Sequence, residues 1–234
     1  MTRLTRLTAL LLLLPAMVAA REQSGILSHR INYGLKVGCA STTLIMRDIR
    51  IGDFTTNEYS PNSETGFIVS AFGKVNMGRC YLQTGLSFYN CYSSVDFQYK
   101  APESETGTDQ TFSIRGKYLQ VPLLFGFNLV KEDPYSLSLF AGPKLTLPLS
   151  GTFSSEYSGF RSAVINEKIY SVTPKITLGM CCSIKNILMD FGYDFEVRPQ
   201  SDGVLTENTF RGVPGPVVMR RSTGVLYFSL GFIF

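Results

Sequence analysis

Large apolar side chains occupy every second position of the C-terminal segment, at Leu226, Phe228, Leu230, Phe232 and Phe234. Side chains of a β-strand point alternately to its two faces, so this spacing predicts a strand with one strongly apolar face. After residue 20, no segment approaches the roughly 20 consecutive apolar residues that a membrane-spanning helix needs. The apolar residues of this chain are therefore expected on strands.

The same period of two recurs along the chain and predicts eight strands. Their expected ranges are 31–42, 66–75, 80–95, 113–129, 136–149, 169–184, 187–198 and 223–234. The connections alternate between short turns (76–79, 130–135, 185–186) and long loops (43–65, 96–112, 150–168, 199–222). Short turns at one rim and long loops at the other are typical of outer-membrane barrels. The predicted fold class is all-β, an eight-stranded antiparallel transmembrane up-and-down β-barrel.

The composition of the second face favours a membrane barrel over a soluble ligand-binding barrel. A soluble barrel points its apolar face inward and needs a charged outer face to meet water. Here the second face is mostly Gly, Ser, Thr and Tyr with a few charges, which suits a narrow interior. The lipid bilayer is therefore the expected partner of the apolar face.

The N-terminal twenty residues have the features of a secretory signal peptide. Arg3 and Arg6 precede an apolar run, and the segment ends in small residues at Ala19 and Ala20. We predict cleavage after Ala20, which divides the chain into a signal peptide at 1–20 and one barrel domain at 21–234.

An even number of strands brings both termini to the rim of the short turns. In outer-membrane barrels this rim faces the periplasm and the long loops face outward. The sequence thus predicts a location in the cell outer membrane, with periplasmic termini and extracellular loops. Recognition of any partner is expected in those loops.

The lumen of the predicted barrel is expected to hold an ion-pair network. The inward-facing charged residues are Lys36, Lys74, Lys144, Lys175, Asp190, Asp194 and Glu196. A two-residue turn at 185–186 would place Lys175 directly opposite Glu196. Eight strands enclose an interior that side chains can fill, so we expect a closed lumen and keep a narrow channel as an alternative.

Several functional classes are disfavoured. Without Arg3 and Arg6 the chain keeps 20 of its 22 Lys and Arg residues against 18 Asp and Glu, with no basic cluster for nucleic acid. The single histidine, His29, precedes the first strand, at the end opposite to where a barrel hydrolase needs it, so no catalytic residues are expected. No glycine-rich phosphate loop and no metal-binding spacing indicates a cofactor or metal. The five cysteines lie on strands, where a small apolar filler is the expected role.

Four segments resemble a known family. They are YGLKVG from Tyr33, YLQVPLLFGFNLV from Tyr118, LFAGPKLTL from Leu139 and FSLGFIF from Phe228. In their order and spacing they resemble the PorT-like outer-membrane β-barrels, the "porin family" of Gram-negative bacteria. The resemblance implies an outer-membrane barrel, and PorT itself is associated with type IX secretion.

The resemblance also implies how the chain reaches the membrane. Phe228, Leu230, Phe232 and the terminal Phe234 look like the C-terminal signal that the barrel-assembly machinery reads. The function expected from the sequence is a structural or surface-binding role carried by the loops. The alternatives are an accessory barrel of a type IX secretion system, with secretion-system proteins as partners, and a narrow channel or transporter.

Overall fold

The computed structural model describes residues 30–51, 54–56, 59–99, 108–149, 156–157, 172–198, 204–205 and 217–234. The predicted cleavage site after Ala20 and the single histidine His29 lie outside these residues. Within the described part of the chain, no helix is long and apolar enough to cross a membrane.

Eleven strands are described, and eight of them form a closed barrel. Their bounds are β1 Ile31–Ile51, β2 Phe54–Thr56, β3 Tyr59–Met77, β4 Cys80–Tyr99, β5 Thr108–Glu132, β6 Tyr135–Pro148, β7 Glu156–Tyr157, β8 Thr173–Ile184, β9 Ile187–Glu196, β10 Val204–Leu205 and β11 Val217–Ile233. The long strands pair antiparallel in chain order, and β11 pairs with β1 to close the ring. The short strands β2, β7 and β10 pair with β1, β5 and β11. The prediction of an eight-stranded antiparallel barrel is confirmed.

Three two-residue turns define one rim of the barrel. They consist of Gly78–Arg79, Asp133–Pro134 and Lys185–Asn186. Gly78 and Lys185 have positive φ, at 66° and 52°, which tight hairpin turns require. We call this end of the barrel the turn rim and the opposite end the loop rim.

The hydrogen-bond register fixes the stagger of the strands. Starting at Ser183 on β8 and moving once around the ring through paired residues, the path returns to β8 at Thr173, ten residues along the strand. An eight-stranded barrel with this stagger has strongly tilted strands and an interior that side chains fill.

Burial alternates along the strands, with the apolar face outward. On β8, Ile176, Leu178 and Met180 are about half exposed, whereas Thr177 and Cys181 are buried in the lumen. The buried set contains many polar residues and five of the predicted inward charges, namely Lys74, Lys144, Lys175, Asp190 and Asp194. A barrel in a lipid bilayer needs this arrangement of a polar interior and an apolar exterior.

Several strands reach further beyond the loop rim than the alternation predicted. β1 continues to Ile51, β3 begins at Tyr59, β5 begins at Thr108 and β11 begins at Val217. Backbone pairing can hold such ribbons together in water without an apolar face, so the hydrophobic pattern does not mark where they end. In contrast, β8 begins at Thr173 rather than at 169, and β9 ends at Glu196 rather than at 198.

Candidate functional site: the charged lumen

The lumen brings three of the four predicted lysines to the three predicted carboxylates. The ion pairs are Lys36 with Asp190, Lys144 with Asp194, and Lys175 with Glu196. Five of these six side chains are almost completely inaccessible to solvent, and the exception, Lys36, is 10% exposed. Buried charges are tolerated only when they are paired and hydrogen-bonded, so the partners of each pair decide whether it is stable.

The pair of Lys144 and Asp194 joins strands β6 and β9 across β8. Lys144 Nζ lies 2.7 Å from both Asp194 carboxylate oxygens. Thr177, which is paired with Asp194 in the register of β8 and β9, donates its hydroxyl to the same carboxylate at 2.8 Å. Asp194 therefore has three donor contacts from two neighbouring strands.

The pair of Lys175 and Glu196 lies directly across one strand boundary. The two residues are register partners on β8 and β9, and Lys175 Nζ is 3.3 Å from Glu196 Oε1. Thr223 on β11 links both ends: its hydroxyl contacts the Lys175 amine at 3.0 Å and donates to Glu196, and its backbone N–H donates to Glu196 at 2.7 Å. Both charges are thus satisfied by three adjacent strands.

The pair of Lys36 and Asp190 crosses the place where the barrel closes. Lys36 on β1 reaches over β11 to Asp190 on β9, with 2.5 Å between nitrogen and oxygen. The register partner of Lys36 on β11 is Gly231, and a Cβ added there would lie 2.9 Å from Lys36 Cβ. A larger residue at this position would crowd the lysine, so the close approach requires glycine.

Lys74 is the fourth predicted lysine, and it binds differently. Among the described residues no carboxylate lies within salt-bridge distance of its amine. Its Nζ stands 3.7 Å from the centroid of the Tyr81 ring. Such a cation–π contact contributes roughly 0.5–2 kcal/mol and replaces only part of the lost hydration.

Aromatic rings fill the lumen between these charges. The Tyr81 ring covers Gly126 on β5, where an added Cβ would lie 2.0 Å from it, and the Tyr227 ring covers Gly192 on β9 in the same way. Tyr81 also exchanges a hydrogen bond with Ser138 at 3.1 Å. The rings and ion pairs together make a rigid, packed interior.

A second group of polar contacts, which the sequence reasoning missed, occupies the lumen towards the loop rim. The Tyr89 hydroxyl hydrogen-bonds to Thr42, and the Tyr89 ring stacks on Tyr118 with centroids 5.9 Å apart. Ser93 donates its hydroxyl to the backbone carbonyl of Thr42 at 3.1 Å. The period-two pattern places all four residues on the inner face, but their partners depend on the register of distant strands.

The C-terminal residues predicted as an assembly signal lie at the seam where the barrel closes. Phe228, Leu230 and Phe232 point outward on β11 and are 41–47% exposed. Phe234 contacts the rings of Phe232 and Tyr33, and its backbone N–H donates to the Tyr33 carbonyl at 2.9 Å. The terminus is therefore held to the first strand by backbone and ring contacts.

Cysteines and metal ligands complete the inventory of reactive groups. None of the five cysteines, all of which lie in the described strands, forms a disulfide. Cys181 points into the lumen and its neighbour Cys182 outward. No group of three or more His, Cys, Asp or Glu residues that could hold a metal ion occurs in the part of the chain that the structure describes.

Comparison with known proteins assigns the class. Residues 19–199 match the family model described as "Outer membrane protein beta-barrel domain". The chain belongs to this family and is an outer-membrane barrel. The match ends before β11, although β11 closes the ring. The sequence matches no curated protein.

Solved structures with a related arrangement are outer-membrane proteins of different kinds. Neisserial surface protein A shares 11% identity and a TM-score of 0.41, covering 86% of this chain and 96% of that one. The attachment invasion locus protein Ail of Yersinia pestis is 13% identical, with a TM-score of 0.36, and the match covers 88% of this chain and 100% of Ail. The outer membrane protease OmpT of Escherichia coli is 10% identical, with a TM-score of 0.45, and the match covers 92% of this chain and 99% of OmpT. Similarity at this level does not distinguish a binding protein from an enzyme.

Proposed function

We propose that this chain is an outer-membrane barrel with a permanently filled lumen and that its function is structural or surface-binding. The observation that carries the proposal is the set of three buried ion pairs, Lys36–Asp190, Lys144–Asp194 and Lys175–Glu196. Two pairs each reach over one intervening strand and the third joins two adjacent strands, so together they act as internal cross-links. Opening a pore would require separating charges that are excluded from water, which is strongly unfavourable.

Single-channel recording in planar bilayers tests the closed lumen. The purified, folded protein is expected to produce no conductance steps. As a control, the double substitution Lys144→Ala with Asp194→Ala removes one cross-link without leaving an unpaired charge. Steady conductance of the unmodified protein would contradict the proposal and favour the alternative of a narrow channel or transporter.

In this proposal the contact surface is the loop rim, which faces the cell exterior, while the termini face the periplasm. Supporting this, ribbons such as the one formed by β4 and β5 continue past the barrel and present strand backbone beyond the apolar belt. The test replaces residues 158–168 with a short glycine-rich turn and measures adhesion of cells that carry the protein. Reduced adhesion with an unchanged amount of folded barrel is the expected result; unchanged adhesion would argue for a purely structural role.

We also propose that the barrel-assembly machinery inserts the chain and reads Phe228, Leu230, Phe232 and Phe234. The support is the outward position of Phe228, Leu230 and Phe232 on the last strand, next to the seam with β1, and the contact of Phe234 with Tyr33 on β1. Phe234→Ala should lower the amount of folded protein in the outer membrane, while Phe67→Ala, on the lipid-facing side of β3, should not. Equal amounts for both variants would contradict this role.

The sequence segments that resemble PorT-like barrels favour a second candidate, an accessory barrel of a type IX secretion system. Its partners would be secretion-system proteins. The discriminating experiment is deletion of the gene, followed by analysis of the periplasm. Accumulation of exported proteins there would favour the secretion role over the surface-binding role, and normal export would exclude it.

A further inference from the structure

The outer surface of the barrel carries an apolar groove of about 600 Å³. One wall consists of Phe125 and Phe127 on β5, and the other of Phe191 and Tyr193 on β9. The floor lies on the two strands between them, β6 and β8. The groove therefore follows the direction of the strands and lies within the belt of exposed apolar side chains.

The depth of the groove has a clear origin in the sequence. The floor residue on β6 is Ala141, whose register partners are the larger residues Phe125 on β5 and Leu178 on β8. Beneath it, Gly179 has no side chain, and the lumenal Phe140 ring packs against its backbone. The short side chain of Ala141 leaves a depression between the aromatic walls, and Leu139, Leu178 and Met180 line the rest of the floor.

The groove accepts hydrocarbon because every side chain that lines it is apolar or aromatic. It is continuous with the face that meets lipid in this family of barrels. Its volume matches a ligand-sized occupant, since small-molecule sites span roughly 300–1,000 Å³. A stable contact with another protein would need roughly 1,200–2,000 Å² of buried surface, which a groove of this size does not supply.

The position of the groove indicates which leaflet the occupant comes from. Leu139 follows the turn at Asp133–Pro134 by five residues, and Phe191 follows the turn at Lys185–Asn186 by five. The groove therefore begins about 16 Å along the strands from the turn rim, a distance that an extended acyl chain can cover. Lys185 is exposed in the turn between the floor strand β8 and the wall strand β9, where a phosphate headgroup would meet it. The neighbouring turn carries the acidic Asp133, so Lys185 is the group suited to an anion.

We propose that this groove binds one acyl chain of a glycerophospholipid from the leaflet at the turn rim, with the phosphate near Lys185. The site would hold this lipid longer than the surrounding bilayer lipids, because the walls contact the chain on both sides. The inference rests on the membrane location of the family and not on the role proposed for the loops.

Tryptophan fluorescence tests the proposal directly, because the chain contains no tryptophan. Phe191→Trp places a single reporter on the groove wall. Leu86→Trp is the matched control, since Leu86 lies on β4 across the barrel and is 50% exposed against 47% for Phe191. Both proteins are reconstituted into phosphatidylcholine vesicles that contain phosphatidylglycerol brominated at several chain depths.

The expected result is that brominated phosphatidylglycerol competes for the Phe191→Trp site at least about threefold more strongly than for the Leu86→Trp site, which corresponds to a difference of at least about 0.6 kcal/mol. The substitution Lys185→Gln should reduce this preference. Equal competition at both positions would overturn the proposal, because the groove lipid would then exchange like any other.

Native mass spectrometry of the detergent-purified protein provides a second measurement. The unmodified barrel should retain one phospholipid, and Ala141→Phe, which fills the groove, should retain none. Val37→Phe on β1 is the control for an added ring on the lipid-facing surface. Retention of a lipopolysaccharide, or of a second copy of the chain in place of lipid, would overturn the assignment. If Ala141→Phe does not fold, the fluorescence comparison still decides.

Discussion

At the scale of single residues, the described lumenal charges differ in the kind of partner they have: three lysines pair with carboxylates, whereas Lys74 contacts an aromatic ring. Asp194 receives contacts from Lys144 and Thr177, and Glu196 from Lys175 and Thr223. Removing one member of such a pair leaves a buried, uncompensated charge, which costs about 3–5 kcal/mol. Within the described part of the chain, the amine of Lys74 contacts the Tyr81 ring and no carboxylate, so removal of Lys74 should have a different consequence.

The first prediction concerns Glu196. Glu196→Gln keeps the shape of the side chain but removes the charge that faces Lys175, and the unfolding temperature of the barrel should fall by several degrees. The measurement is the loss of the fast-migrating folded band on unboiled gels as temperature rises. Glu132→Gln, at an exposed position on β5, is the control and should have no effect. An unchanged unfolding temperature for Glu196→Gln would contradict the stabilising role of this pair.

The second prediction contrasts two lysines. Lys144→Met leaves Asp194 buried without its cation and should lower stability by about 3–5 kcal/mol. Lys74→Met loses a ring contact of roughly 0.5–2 kcal/mol but also removes a buried charge, so the net change should be small. The free energy of unfolding in urea, measured in lipid vesicles, distinguishes the two. A loss for Lys74→Met as large as for Lys144→Met would mean that Lys74 has a charged partner.

At the scale of elements, neighbouring strands approach closely wherever a ring lies over a glycine. Tyr81 on β4 covers Gly126 on β5, and Tyr227 on β11 covers Gly192 on β9. A ring over a glycine closes the gap between strands and fills the lumen at that level. Strand β9 carries the three carboxylates of the described ion pairs, whereas β4 and β5 carry no member of these pairs, so Tyr81 packing and charge pairing stabilise different parts of the barrel.

The third prediction tests this packing. Gly126→Ala would place a Cβ 2.0 Å from the Tyr81 ring, so the ring or the strand must move and stability should fall by about 1–3 kcal/mol. Gly73→Ala on β3 is the control, because nothing lies within 4 Å of its added Cβ. The urea midpoint of the two variants is compared. If Gly126→Ala and Gly73→Ala lowered the stability equally, the cause would be the strand propensity of the residue and not the contact with the ring.

The element scale also shows where the sequence pattern is informative. The alternation identified all eight barrel strands because one face of each meets lipid and the other a polar lumen. It did not give the ends at the loop rim: β1 continues to Ile51 and β3 begins as early as Tyr59. Beyond the membrane the apolar face is no longer required, so pairing continues without a signal in the sequence.

At the scale of the whole molecule, the eight strands, the even count and the three tight turns give the barrel two different ends. The two-residue turns contain Gly78, Pro134 and Lys185 and offer little surface. The other end carries the extended ribbons and the connections between them. From this asymmetry we propose one orientation in the membrane, with the turn rim facing the periplasm.

The fourth prediction concerns that orientation. A peptide epitope inserted between residues 158 and 159 should bind antibody on intact cells. The same epitope placed after Arg21 should bind only after the outer membrane is permeabilised. Immunofluorescence on the two strains distinguishes the alternatives, and the reverse pattern would show that the long loops face the periplasm.

The sequence by itself determined the strands, the face that each one turns to lipid and the set of charges that must enter the lumen. It also determined the pairing of Lys175 with Glu196, because a two-residue turn fixes the register of adjacent strands. Only the tertiary structure decided that Lys36 pairs with Asp190, 154 residues away, and that Lys74 contacts a ring instead of a carboxylate. The physical reason is that Lys36 and Asp190 lie on either side of the closing strand β11, so their distance depends on the stagger at which the ring closes, which no local segment encodes. Lys74 and Tyr81 lie on the neighbouring strands β3 and β4, and the closed ring decides that the described carboxylates pair with other lysines.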